Sequence, residues 1–195
     1  LERWPLHVTL SSRLRRLRSQ VVLKAFVRAI AAANARHSQR FRVVHYSLQS
    51  NHVHLIVEAA DAGTLSRGMQ GLAVSLAYRI NRALGRRGTF WADRFHSREL
   101  QTPGEVRRAL VYVHANYRKH EPKLGVGIDP YSSGIWFSGW REARPLPLAL
   151  SISKWKVDFG RTPVAGARSW LLQRGWLQAG TISVSDAPSA ARTKH

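Results

Sequence analysis

Apolar residues alternate with polar ones in some stretches of this chain and recur every three to four positions in others. Leu6, His7, Val8, Thr9 and Leu10 give the period of two expected of a strand with one buried face. Phe41–Leu48 and His52–Ala59 repeat that signature, joined by the hairpin-like connection Gln49-Ser50-Asn51. Between Val21 and Arg36 the period lengthens. Val22, Phe26, Ala29 and Ala33 form an apolar stripe, and Lys24 and Arg28 lie off it, as in an amphipathic helix. Leu65, Met69, Leu72, Leu76 and Ile80 make a second stripe that ends near Gly85. Thr89 to Leu100 mixes aromatic and basic residues and closes in a short fourth strand. Pro103 then opens a third helix, with Glu105 in the first turn, where the helix dipole favours an acid. The predicted order is β-α-β-β-α-β plus a helix. This is the ferredoxin-like split βαβ arrangement of an α+β fold: an antiparallel sheet with helices on one face and the other face open to a ligand.

Beyond Glu121 the texture changes. Pro122, Gly125, Gly127, Asp129, Pro130, Ser132, Ser133 and Gly134 read as a long loop pinned by Trp136, Phe137 and Trp140. Ser169–Trp176 reads as a short final helix, and the last dozen residues as a frayed end. The expected division is a main domain over 1–120 and a C-terminal loop and helix appendage over 121–195. Trp170, Leu171, Leu172 and Trp176 would dock the appendage on the main domain.

Charge sharpens this outline. In 195 residues, 31 Lys plus Arg stand against 11 Asp plus Glu, a formal net charge of +20. Such an excess points to nucleic acid as partner, and the preference for Arg suits bidentate phosphate contacts. The clusters Arg13, Arg15, Arg16 and Arg18, then Arg86 and Arg87, and Arg94 and Arg98 beside the fourth strand, are the expected DNA-backbone contacts. Trp91 reads either as core or as a base-stacking platform. The absence of cysteine excludes disulfides, zinc–thiolate sites and cysteine nucleophiles. No apolar run approaches the ~18 residues of a membrane span and no signal peptide is visible, so a cytoplasmic, nucleoid-associated protein is expected.

Candidate chemistry centres on His52-Val53-His54. Strand alternation sends both imidazoles to one side and Val53, Leu55 and Val57 to the other, so the two rings can converge on one divalent ion. In the third helix Val106, Leu110, Val113 and Tyr117 claim the core stripe, which makes Tyr117 a packing residue. Tyr112 and Asn116, also four apart, lie on a flank roughly 80–120° away. From there Asn116 can offer an amide oxygen to the ion, and Tyr112 can bring its hydroxyl beside it. An ion that polarises a phosphate next to a tyrosine nucleophile suits phosphodiester transfer through a covalent intermediate. His45 and His96 are expected in structural or supporting positions and His114 on the surface. His7-Val8-Thr9 is a lone His-x-Thr strand, whereas phosphoesterases built on that motif need two.

His52-Val53-His54 in a hydrophobic strand, followed by Tyr112-Val113-His114-Ala115-Asn116 on a helix, resembles the single-tyrosine HUH transposases of the IS200-like superfamily, and among them the REP-associated tyrosine transposases. Gly88-Thr89-Phe90-Trp91-Ala92-Asp93-Arg94-Phe95-His96, His7-Val8-Thr9-Leu10 and Pro130-Tyr131-Ser132-Ser133-Gly134 extend the resemblance over about residues 6–140. Phe95 departs from it, since related chains often carry Tyr there. The resemblance implies His52, His54 and Asn116 as ligands of Mg²⁺ or Mn²⁺ and Tyr112 as the nucleophile that nicks and rejoins single-stranded or hairpin DNA through a 5′-phosphotyrosine. It also implies a monomer in preference to a two-fold dimer. The alternative is a basic DNA-binding protein, descended from such an enzyme, that needs no metal.

Overall fold

The computed structural model describes residues 4–37, 39–117, 127–142 and 162–188. Its elements are β1 (Leu6–Ser11), α1 (Gln20–His37), β2 (Phe41–Leu48), β3 (His52–Ala59), α2 (Ala62–Ala83), β4 (His96–Glu99), α3 (Pro103–Ala115) and α4 (Trp170–Gln173). The strands form one antiparallel sheet in the order β2-β3-β1-β4, as the split βαβ pattern requires. The starts of α2 and α3 have local causes. The Asp61 carboxylate accepts hydrogen bonds from the Thr64 amide and hydroxyl, and Thr102 with Glu105 closes a capping box behind Pro103.

One face of the sheet carries Val8, Leu10, Val53, Leu55 and Val57, all within 2% of complete burial, and α1 and α2 cover it. Helix α2 lies so close that a Cβ at Gly68 would overlap the Phe41 ring. The α1 stripe departs from expectation at its end, where Ala33 is partly exposed and Asn34 is buried. The Asn34 amide brackets β2: its Oδ1 accepts from Val43 N at 2.8 Å, and its Nδ2 donates to Val43 O at 3.0 Å and to Pro163 O at 2.8 Å. At this point the β2–β3 register shifts between Val43 and His45, which turns Val44 toward the opposite face.

That opposite face is the one expected to stay open. Helix α3 crosses it over β2 and β3, and Val106, Leu110 and Val113 pack there with Val44 and Ile56. The C-terminal residues complete this second core. Leu171, Leu172, Trp176 and Ile182 are buried in it, with Phe137 and Trp140 against its side. The expected final helix is α4 followed by a 3₁₀ turn at Gly175–Ala179. Val184 and Asp186, within the stretch expected to fray, are tied to Glu142 and Arg107. Residues 189–195, and Pro122 and Gly125 of the loop, lie outside the described residues.

Glu58, completely buried on β3, fixes this C-terminal layer. Its carboxylate accepts from Arg168 N, from Ser169 N at 2.8 Å and from Ser169 Oγ at 2.7 Å, and it faces the buried Arg42 guanidinium at 3.9 Å. Removing one member of a buried charge network leaves its partners desolvated. Glu58→Ala is therefore expected to lower unfolding free energy by about 3 kcal/mol, read from the midpoint of a urea titration. An unchanged midpoint would mean that the C-terminal layer contributes nothing to cooperative stability.

Candidate active site

The sheet register brings the site together. Thr9 stands opposite His54, and Ser11 opposite His52, so the polar residues of β1 and β3 share the α3 face. The His52 and His54 rings lie edge to face with centroids 4.6 Å apart. The Tyr112 ring stands 4.8 Å from His54. Helix α3 thus brings its flank residue over the pair while Val113 and Leu110 hold the helix down. Tyr117 is the packing residue expected: it is buried and donates its hydroxyl to Gly127 O at 2.9 Å.

Both histidines are oriented from behind. His52 Nδ1 lies 2.8 Å from Asn51 Oδ1, an atom that only accepts, so Nδ1 is the nitrogen that carries the proton in the neutral imidazole. His54 Nδ1 lies 3.2 Å from Thr9 Oγ1, which can impose the same tautomer. Metal-binding imidazoles are commonly held in this way. Asn116, at the C-cap of α3 and one turn beyond Tyr112, is completely buried, and neither its Oδ1 nor its Nδ2 has a hydrogen-bond partner. A buried amide without partners costs free energy unless something satisfies it. Among the described residues no group of three or more His, Asp or Glu side chains is arranged to hold an ion. The Asn116 amide oxygen is a neutral donor of the type a divalent ion accepts.

Sequence reasoning weighed His7 and Thr9 only as a lone His-x-Thr strand and did not bring them to the histidine pair. The His7 ring lies 5.2 Å from His54 and 5.6 Å from Tyr112, opposite Arg98 in the register. Burial, reinforced by the Arg98 charge, pulls its pKa down to about 4, so the imidazole is neutral at pH 7. Burial pushes the Tyr112 phenol in the other direction, up, so its hydroxyl stays protonated.

The profile of the family described as "Transposase IS200 like" matches residues 3–116, which include His7, Thr9, His52, His54, Tyr112 and Asn116. The chain belongs to the IS200-like transposase family. Two of the solved structures similar to this transposase illustrate the likeness. One, "Structure of the REP associates tyrosine transposase bound to a REP hairpin", is 19% identical with a TM-score of 0.49, over 68% of this chain and 78% of that one. The other, from Deinococcus radiodurans R1, is described as a candidate transposase. It is 20% identical with a TM-score of 0.41, over 60% of this chain and 89% of that one. No curated protein matches the chain in sequence.

The arginines of the transposase separate by environment. Arg13, Arg15, Arg16, Arg87 and Arg94 are exposed. Arg98 is exposed and 3.8 Å from Glu105, on the face that holds the histidines. Arg86 is half-buried over the Phe90 ring. Arg18 differs from the expected DNA contact. It makes paired 2.9 Å bonds to the buried Asp129, donates to Leu48 O and lies 4.3 Å over Tyr131. Its guanidinium is engaged in holding the 127–131 segment to β2.

His114 also departs from expectation, for it is 1% exposed. It stacks on Phe137 at 4.9 Å, with His45 at 5.0 Å and Trp140 at 5.6 Å, because the segment after α3 folds back over that side. His96, at the start of β4, is exposed. Burial pulls the His45 pKa down to about 3. Its unfolded value is near 6.5, so between those values the unfolded chain binds a proton that the folded one does not. The transposase should then lose stability as pH falls from about 6.5, by up to about 1.4 kcal/mol per pH unit for this group. Melting temperatures from pH 7.5 to 4.5 should fall less steeply in His45→Gln than in the parent. Parallel curves would show that His45 takes up no proton on unfolding.

No helix among the described residues is long and apolar enough to cross a membrane.

Proposed function

We propose that this transposase nicks and rejoins single-stranded DNA at a hairpin or REP-like sequence, with Tyr112 as the nucleophile and a divalent ion held by His52, His54 and Asn116. The observation that carries the reading is the Tyr112 ring 4.8 Å from His54, whose ring centroid lies 4.6 Å from that of a second imidazole, His52. When bound, Mg²⁺ or Mn²⁺ would polarise the scissile phosphate and offset the charge that builds on it. The chain's own residues supply the rest. Tyr112 Oη attacks phosphorus and loses its proton, the bond to O3′ breaks, and the upstream strand leaves with a 3′-hydroxyl. Attack by another 3′-hydroxyl on the phosphotyrosine reverses the step and joins a new pair of ends, so no external energy source is required.

The exposed arginines support DNA as the partner, since each phosphate neutralised releases counterions. Action as a monomer is supported by the edge of β2. The chain's own Ser132 and Ala165 pair with Ser47 and Val43, so that edge offers no open strand to a second copy. We place its action at chromosomal DNA in the cytoplasm.

The test is a covalent one. A labelled single-stranded hairpin incubated with the protein and Mg²⁺ or Mn²⁺ should yield a protein–DNA adduct that survives denaturation. Tight, salt-dependent binding with no scission under either ion would instead favour the non-catalytic DNA-binding reading.

A further inference from the structure

Helix α3 places Glu105, Arg108 and Tyr112 on one flank: at 100° per residue, Glu105 and Arg108 fall within about 40° of Tyr112. The neighbours of this flank fix its direction. Tyr112 lies 5.6 Å from the His7 ring of β1, and Glu105 Oε1 lies 3.8 Å from Arg98 Nη1 of β4. Arg98 pairs with His7 across the β1–β4 ladder, so the two side chains leave the sheet on the same face. The Arg98 charge is felt at His7, where it adds to the effect of burial. Arg98 and Arg108 therefore approach one notch from two elements, the sheet edge and the helix.

Neither arginine is consumed by the fold. The Arg98 side chain is 62% exposed, and an exposed pair at 3.8 Å is weak, so its guanidinium can exchange the carboxylate for a phosphate. Glu105 is the fixed member of that pair. Its Oε2 accepts from Gln101 N at 2.8 Å and from Thr102 N at 3.1 Å in the α3 cap. Arg108 is exposed and takes part in none of the ion pairs among the described residues. It lies back along the helix, with Nη1 3.2 Å from the position that a Cβ on Gly104 would take. Arg107, the preceding residue, shows the contrast, because its bonds to Asp186 and to Thr181 O tie it to the C-terminal layer.

We propose that Arg98 and Arg108 form a clamp for a backbone phosphate adjacent to the scissile one. Glu105 precedes Tyr112 by two turns of α3, about 10 Å along the axis. Arg98, held at Glu105, is thus placed for a phosphate beside the reacting one and not for the reacting one itself. Two guanidiniums from different elements can share the non-bridging oxygens of one phosphate through charge-assisted bonds. Glu105 acts as a positioning residue, keeping Arg98 extended over the notch until DNA enters. The inference rests on the DNA-processing reading above and adds to it a hold on the strand that does not depend on the covalent bond to Tyr112.

Binding without chemistry tests it. The Tyr112→Phe protein is titrated with a hairpin whose single strand spans the reacting position, and with copies in which one phosphate at a time is a neutral methylphosphonate. A methylphosphonate next to the scissile position should weaken binding by about ten-fold, the scale of one charge-assisted contact. The R98A/R108A variant in the same background should bind the unmodified hairpin about ten-fold more weakly and be indifferent to that methylphosphonate. Its log–log salt slope should fall by about 0.7, the value of one phosphate of a single strand. An R13A/R15A variant, which also removes two exposed arginines, should keep the full sensitivity to methylphosphonate. No sensitivity at either neighbouring phosphate, or the same sensitivity with and without R98A/R108A, would overturn the proposal. These outcomes separate from those of the catalytic reading. An intact covalent adduct without the methylphosphonate pattern removes the clamp alone. One methylphosphonate whose cost disappears in R98A/R108A, in a protein that forms no adduct, keeps the clamp and removes the chemistry alone.

Discussion

Tyr112→Phe is expected to abolish the covalent adduct, lowering strand cleavage by about 10⁴-fold or more, the scale seen when a nucleophile is deleted. The fold should hardly notice. The ring stays in its contacts with His54 and His7, and the hydroxyl lost is one that burial keeps protonated. A change in melting temperature of no more than a few degrees is expected. Tyr117→Phe is the contrasting variant. It removes a buried bond to Gly127 O, so it should cost about 1–2 kcal/mol of stability and leave the adduct in place. An adduct that persists in Tyr112→Phe, assayed on denaturing gels with a labelled hairpin, would show that another side chain attacks.

The second large effect belongs to the histidine pair. The His52→Ala/His54→Ala double variant should lose cleavage to the level of the Tyr112 variant and lose Mn²⁺ binding in a calorimetric titration. DNA affinity should stay within about three-fold, because the phosphate contacts proposed here rest on exposed arginines and not on the histidines. Asn116→Ala should weaken Mn²⁺ binding less than either histidine change, since a neutral amide oxygen is the poorest donor of the three. Equal Mn²⁺ affinity in the parent and the double variant would dismiss the metal site and with it the assignment of all three ligands.

Both predictions use residues that could be named before any coordinates, and there is a physical reason for this. Periodicity is a local property. The alternation at His52–Ala59 and the stripe at Leu65–Ile80 are written into consecutive side chains, and they become β3 and α2. Tyr112 could be separated from Tyr117 for the same reason, because 100° per residue puts one on the core stripe and the other on its flank. The fold order, the histidine strand and the candidate tyrosine were therefore legible in the sequence.

What the sequence did not display depends on register and on chain that returns from far away. Thr9 and His7 belong to the site only because β1 pairs with β3 so that Thr9 meets His54, and one residue of slip would turn both away. Arg18 looks like its exposed neighbours in sequence. Only the return of Asp129 to β2, 111 residues on, converts it to an internal tether. His114 reads as a surface residue of α3 until Phe137 and Trp140 close over it, and Glu58 gains its role from Arg168 and Ser169. The sequence by itself determined the elements and the residue types of the chemistry, because side-chain spacing along one helix or strand sets their faces. Tertiary structure alone decided which side chains orient the histidines and which arginines stay exposed, because each of these depends on a contact between residues that no local period connects.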